Sequence, residues 1–324
     1  MHYKTISELA PLIESGELSP VDLTQSILDR IEKLDGSLRS FATVTADHAL
    51  AQAKNAESEI SKGKYRGKLH GIPIAVKDLC NTIGIRTMGG SAVFADNIPD
   101  HDATVVTKLN EAGAVSLGKL NMTEGAMGGY NPALKVPENP WRESYWAGAS
   151  SSGSGSATAA GLAFGTLGSD TGGSIRFPAA VCGTVGLKPT WGRVSRYGVM
   201  DLAESLDHVG PLTRSAADAG IMLQAISGSD PSDPTTLPHD VPDMLSEIGK
   251  GVKGLKIGWD EDYATSGMEP SFAKAVEAGV KVMESLGAEI VEVKMPEIMR
   301  EAMAAWPIIC STEAAAAHAE TYPS

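Results

Sequence analysis

The chain has 324 residues, 42% of them hydrophobic and 5% aromatic, and carries a net charge of −13. That length and apolar content suit a folded protein with a substantial core. The acidic balance disfavours direct contact with phosphate backbones, so no direct nucleic-acid partner is expected. No run approaches the ~18 apolar residues of a membrane-crossing helix, and the N-terminus has no uninterrupted apolar segment of the secretory kind. A cytoplasmic protein with no membrane partner is therefore expected. The three cysteines, Cys80, Cys182 and Cys310, are far apart and form no C-x-x-C pair. That argues against a disulfide framework and a zinc site and fits a reducing compartment. Aromatics are few and the 35 glycines many, which favours close α/β packing of small and aliphatic side chains.

In chain order, Thr5 to Ser15 reads as an amphipathic helix stopped by Gly16. Ser19-Pro20 opens a second, with Ser19 as N-cap, Asp22 in the first turn and an apolar stripe of Val21, Leu23, Ile27 and Ile31. Residues 45–62 form an Ala-rich third, and all three read as an outer layer. Ile72 to Val76 is a short strand ending at Lys77, and Pro73 within it suggests a sheet edge or a bulge. A helix over 103–112, closed by Gly113, leads to a buried strand over 114–117. This β–α–β rhythm signals parallel strands covered by helices. Further on, residues 156–161 read as a buried helix, 163–168 and 184–187 as strands, and 228–243 as an exposed connection. Residues 255–258, 271–286 and 288–293 form one more strand–helix–strand unit, and 312–320 a last helix. No internal repeat is present. The chain reads as a single domain over 1–324, incomplete at its C-terminus, with a subdomain boundary near 228–250.

The most informative stretch is Gly148 to Pro189, dense in Gly, Ala, Ser and Thr but broken by apolar runs that call for burial. It is not a flexible linker; it reads as packed core carrying two Gly/Ser loops. Other motifs fail. Gly113 to Leu120 has the Walker A spacing but ends in Leu where Ser or Thr must meet magnesium. There is no G-x-S-x-G elbow, no H-E-x-x-H and no His/Cys cluster, so no metal and no cofactor are expected. His208 sits in a turn-like SLDHVGP. What remains is Lys77, delivered inward by a strand so that burial lowers its pKa, and Ser174 behind two glycines whose N–H groups can form an anion-binding nest. A lysine can serve as base for a serine nucleophile. On the residues alone, that reading and one of plain structural turns with a surface lysine stand level.

Three ordered blocks carry a resemblance: HGIPIAVKD, GKLNMTEGAMGG, and GASSSGSGSATAAG followed by LGSDTGGSIRFPAAVCGTVGLKPTWGRVS. Together they resemble the amidase signature family from about residue 5 to 230, and more weakly to the end. The resemblance implies an α/β fold with a mixed central β-sheet covered by helices on both faces. It implies a Ser–cis-Ser–Lys triad with Ser174 as nucleophile, Ser150 as bridging serine after a cis peptide bond, and Lys77 as base. The N–H groups of Thr171, Gly172, Gly173 and Ser174 would form the oxyanion hole. Asp170 and Arg176 would pair to fix the loop, and Ser151 would hydrogen-bond near Lys77. Ala126, Met127 and Phe177 are candidates for the substrate pocket. Many family members read GGSSGGS where this chain has GASSSGS, so Ala149 and Ser152 should make the loop bulkier.

The implied reaction is hydrolysis of a small-molecule amide through an acyl-enzyme, extending to esters or carbamates, with a homodimer admitted as assembly. The alternative is the glutamine-hydrolysing component of a tRNA-dependent amidotransferase, which NMTEGAMGG and GRVSRYGV also resemble. Against it, Phe177 stands where that branch tends to carry Gln.

Overall fold

The computed structural model describes residues 1–321. The elements in order are α1 (Ile6–Glu14), α2 (Pro20–Leu38), β1 (Phe41–Val44), α3 (Ala46–Ser61), β2 (Pro73–Lys77), α4 (Thr104–Glu111) and β3 (Val115–Leu120). Next come α5 (Ser152–Ala159), β4 (Gly165–Asp170), α6 (Arg176–Cys182), β5 (Val185–Gly186), β6 (His208–Thr213) and α7 (Ala216–Ile226). The last are β7 (Lys256–Trp259), α8 (Glu261–Thr265), α9 (Pro270–Ser285), β8 (Glu289–Glu292) and α10 (Ile298–Ala317). The chain forms two compact units, Met1–Met244 with the chain from Cys310, and Leu245–Ile309.

The first unit is built on a six-stranded sheet in the order β1-β3-β2-β4-β6-β5. β2 runs parallel to β3 and β4, while β1, β6 and β5 pair antiparallel. Every residue of β2, β3 and β4 is buried. Alternate side chains leave a strand on opposite faces, so both faces of the sheet centre are covered. The mixed α/β fold expected from the sequence is the one observed. α5 packs across β2, β3, β4 and β6, and α7 packs against β4, β5 and β6. In the second unit, β7 and β8 form a parallel pair with register Lys256↔Glu289 to Trp259↔Glu292, and α9 packs on β8.

The N-terminal caps follow the sequence. Thr5 closes a capping box with Glu8, and Ser19 Oγ accepts from the N–H groups of Val21 and Asp22 with Pro20 in the first turn. Leu23, Ile27 and Ile31 are buried, whereas Val21 is only half-buried.

Several expectations are corrected. β2 is not an edge strand: it lies between β3 and β4. Pro73 is tolerated because it opens the strand, where no ladder donor is missed. The register shift between Ile74 and Val76 supplies the expected bulge. α5 begins at Ser152, four residues earlier than expected, because its Gly and Ser residues are packed rather than looped. Gly153 sits so close to the Ser40 and Asn121 backbones that a Cβ would collide with them. The apolar run over 178–185 is helical in its first part, as the end of α6 (Arg176–Cys182). Ile175, Ala179 and Leu212 form a core cluster there. His208 opens β6 instead of turning, and α10 starts well before residue 312.

Candidate active site

Three segments meet at the C-terminal ends of β2 and β4. β2 carries Lys77 into the interior, where it is fully buried. Its Nζ donates to Ser150 Oγ at 2.6 Å and to Ser169 Oγ at 2.8 Å. Burial pushes the amine down to about 7, opposed by the neighbouring Cys80, Asp207 and Asp170. Desolvation penalises the ammonium, and hydroxyl partners do not neutralise it.

Ser150 precedes α5, and the Ala149–Ser150 peptide bond is cis. The segment is anchored on both sides. The Thr123 N–H donates to the Ser150 carbonyl at 3.2 Å, and the Ser151 N–H donates to the Ser174 carbonyl at 3.3 Å. The second bond holds the two serine-bearing loops against each other. Ser151 does not reach Lys77 directly. Its hydroxyl donates to the Ser169 carbonyl and accepts from the Ser169 N–H, each at 3.2 Å. It therefore supports Ser169, which meets the lysine.

β4 ends at Asp170, and the turn that follows carries Ser174. Arg176 grips the buried Asp170 carboxylate through two side-chain bonds of 2.8 and 3.0 Å. The N–H groups of Gly173 (2.7 Å) and Ile175 (3.1 Å) also donate to it. Burial alone would raise the Asp170 carboxyl; Arg176 and these N–H groups outweigh it and hold it below the usual range. The expected pairing is present, and it narrows the expected nest: the Gly173 N–H is committed to Asp170. Among the described residues, the N–H groups of Gly172 and Ser174 carry no hydrogen bond. Thr171 Oγ1 donates to Asp207 at 2.5 Å. Ser174 is half-buried and Gly172 exposed, whereas Lys77 and Ser150 are sealed. Lys77 and Ser150 are thus shielded from water, and Ser174 is partly open to it.

A cavity of about 570 Å³ lies beside the loop bonded to Ser150, lined by Glu124, Met127, Tyr130, Ala314, Ala315 and His318 among others. Of the expected pocket residues, Met127 lines it. Ala126 is buried beside it, and Phe177 is 52% exposed with its ring over Gly173. Sequence reasoning missed Ser169, Asp207, Tyr130 and His318. Ser169 was the most legible of these, a serine one position before Asp170 within the LGSDTGGS block. Among the described residues no group of three His, Cys, Asp or Glu is arranged to hold a metal, and no helix is long and apolar enough to cross a membrane.

A fully buried lysine thus meets the hydroxyls of Ser150 and Ser169, and the loop that carries Ser174 is tied to the Ser150 loop through the Ser151 N–H. The sequence pattern of the Amidase family matches residues 22–322, and the chain belongs to that family. It is 50% identical over 282 residues to the Mycobacterium tuberculosis protein named "Putative amidase AmiD", covering 87% of this chain and 59% of that one. It is 46% identical over 314 residues to a glutamyl-tRNA(Gln) amidotransferase component of Geobacter sp. strain M21, covering 96% of this chain and 64% of that one. The native peptide amidase of Stenotrophomonas maltophilia superposes with a TM-score of 0.88 at 34% identity, covering 99% of this chain and 68% of that one. The chain spans about three-fifths of the length of the curated relatives it matches.

Proposed function

We propose that this protein hydrolyses the C–N bond of linear, non-peptide amides through a serine nucleophile and an acyl-enzyme. The observation that carries the reading is the fully buried Lys77 amine 2.6 Å from Ser150 Oγ, with a pKa near 7. A neutral amine there has a lone pair for the Ser150 proton. Ser150 in turn takes the proton of Ser174 as Ser174 Oγ adds to the substrate carbonyl. The relay then returns a proton to the leaving amine as the C–N bond breaks. Water, deprotonated by the same route, releases the acid. The N–H groups of Gly172 and Ser174, with that of Thr171, are the donors for the oxyanion; each such donor is worth on the order of 10²–10³ in rate. Esters and carbamates present the same carbonyl and are candidate substrates. The cavity beside Met127 and Tyr130 would take the apolar part of the substrate. The test is turnover of a simple aryl amide by the purified protein, lost in Ser174→Ala. A protein that folds, yet neither turns over such amides nor acylates Ser174, would overturn the reading.

The likeness to the amidotransferase component over 96% of the chain supports a second reading, glutamine hydrolysis with ammonia passed to a partner. It requires turnover of glutamine that appears only with partner proteins. Phe177, apolar and exposed beside Gly173, favours the first.

A further inference from the structure

β3 carries a second fully buried lysine, Lys119, which the relay above does not use. Lys119 pairs with Val76 in the sheet, and Lys77 with Leu120. Neighbours along a strand point to opposite faces, so the two amines leave the sheet on opposite sides. Lys119 Nζ reaches round the end of β2 and donates to the Cys80 carbonyl at 2.5 Å and to Thr87 Oγ1 at 2.6 Å. The Asp78 carboxylate, also buried, lies 3.9 Å away. Cys80 closes a turn on Lys77 itself, its N–H donating to the Lys77 carbonyl at 3.0 Å. Asp78 is tied into the same turn: its side chain accepts from the Met88 N–H at 3.0 Å and its carbonyl from the Gly89 N–H at 2.9 Å. One ammonium thus gathers the residues that immediately follow Lys77 and fastens them to the 87–89 segment.

We propose that Lys119, with Asp78, is a positioning residue for the base: it fixes the turn after β2 so that the Lys77 amine stays within reach of Ser150. Replacing both members of a buried ion pair by well-packed apolar side chains would serve stability at least as well as the pair does. The directed bonds to the Cys80 carbonyl and Thr87 are what a hydrocarbon could not supply. A hydrogen-bonding distance matters because proton transfer between base and hydroxyl falls off sharply once the heavy atoms leave contact.

This inference rests on Lys77 being the base of the proposed reaction, so the experiment separates the two. Lys119→Met and Thr87→Val are compared with wild type in aryl-amide turnover and in the rate at which a fluorophosphonate labels Ser174. In that labelling the Ser174 Oγ–P bond forms, the P–F bond breaks, fluoride leaves and the serine proton passes to the relay. Wild type that neither turns over nor labels sinks the functional reading itself. With an active wild type, Lys119→Met should lose at least tenfold in kcat and in labelling rate per folded molecule. KM should stay within about twofold, since the substrate cavity is untouched. Thr87→Val keeps the charge pair and removes one anchor; it should show a smaller loss in the same two quantities. It carries the test if Lys119→Met does not fold. Either folded variant with kcat and labelling within twofold of wild type would overturn the proposal, as would a loss confined to KM.

Discussion

The two buried lysines sit on adjacent strands in surroundings of equal dryness and opposite chemistry. Lys77 meets only hydroxyls, Ser150 and Ser169. Lys119 meets a carbonyl, a hydroxyl and, at 3.9 Å, the carboxylate of Asp78. Burial lowers both amines and lifts the Asp78 carboxyl to about 6, with Lys119 pulling the other way. The lesson is that burial alone does not make a base. On the proposed reading, a buried amine serves as a base where its partners can accept or supply a proton without fixing the charge, and an anion alongside makes the same side chain a fastener.

The same substitution at the two positions should separate these roles most strongly in activity. Lys77→Met should abolish amide turnover, on the order of 10⁶-fold as for other members of a catalytic relay, and Ser174→Ala should match it. Stability should move in opposite directions. The amine of Lys77 falls from 10.5 to about 7 on folding, a cost on the order of 4 kcal/mol when the group is held below that pH. Lys77→Met removes that cost and should raise the midpoint of urea unfolding at pH 7. Lys119→Met leaves Asp78 buried without its cation and should lower the unfolding free energy by about 3–5 kcal/mol, and the midpoint with it. Equal signs for the two variants would collapse the distinction.

A pH series sharpens the comparison. A lysine whose folded pKa lies below its unfolded value destabilises the fold most fully at and below the folded pKa. The unfolded chain binds more protons between about 7 and 10.5, so wild-type stability should gain on Lys77→Met as pH rises through that window. For catalysis the base must be neutral, so kcat/KM should rise about tenfold per pH unit up to about 7 and level off above it. Asp170 behaves inversely. Its folded pKa is depressed, so the stability it contributes is present above the unfolded value near 4 and is lost as pH falls through the folded one. Asp170→Asn should remove that acid-side loss and lower stability at neutral pH, read by thermal unfolding at pH 3 and 7.

Much of this was legible in the sequence because it depends on local order. The Ser19-Pro20 helix start, the Gly113 stop and the strand ending at Lys77 follow from propensities a few residues wide. The proposed catalytic residues come from motif resemblance, and in the structure Lys77 Nζ lies 2.6 Å from Ser150 Oγ. What was not legible depends on register between distant segments. Ser169 matters only because β4 lies beside β2, and Asp207 only because β6 lies beside β4. Lys119 read as a failed Walker lysine, and nothing in GAVSLGKL says that its amine reaches Cys80. The residue pattern places the start of α5 too late because Gly and Ser favour loops when isolated, whereas tertiary packing against Ser40 and Asn121 overrides that preference.

The smallest effect tests the electrostatics of Lys77 alone. Asp207 is among the groups that oppose the fall of the Lys77 amine. Its Oδ2 accepts the Leu202 and Ala203 N–H groups at 2.8 and 3.0 Å, and its Oδ1 accepts from Thr171. Asp207→Asn can keep this geometry, with the amide oxygen toward the two N–H groups and the amide nitrogen donating to Thr171 Oγ1. The charge is all that is lost. Without a nearby anion the ammonium form of Lys77 is less favoured, so the acid limb of kcat/KM should move to lower pH by a fraction of a unit, with the plateau within a few-fold of wild type. An upward move would contradict the sign of the interaction. An unmoved limb in a folded, active variant would mean that the group titrating near neutrality is not Lys77.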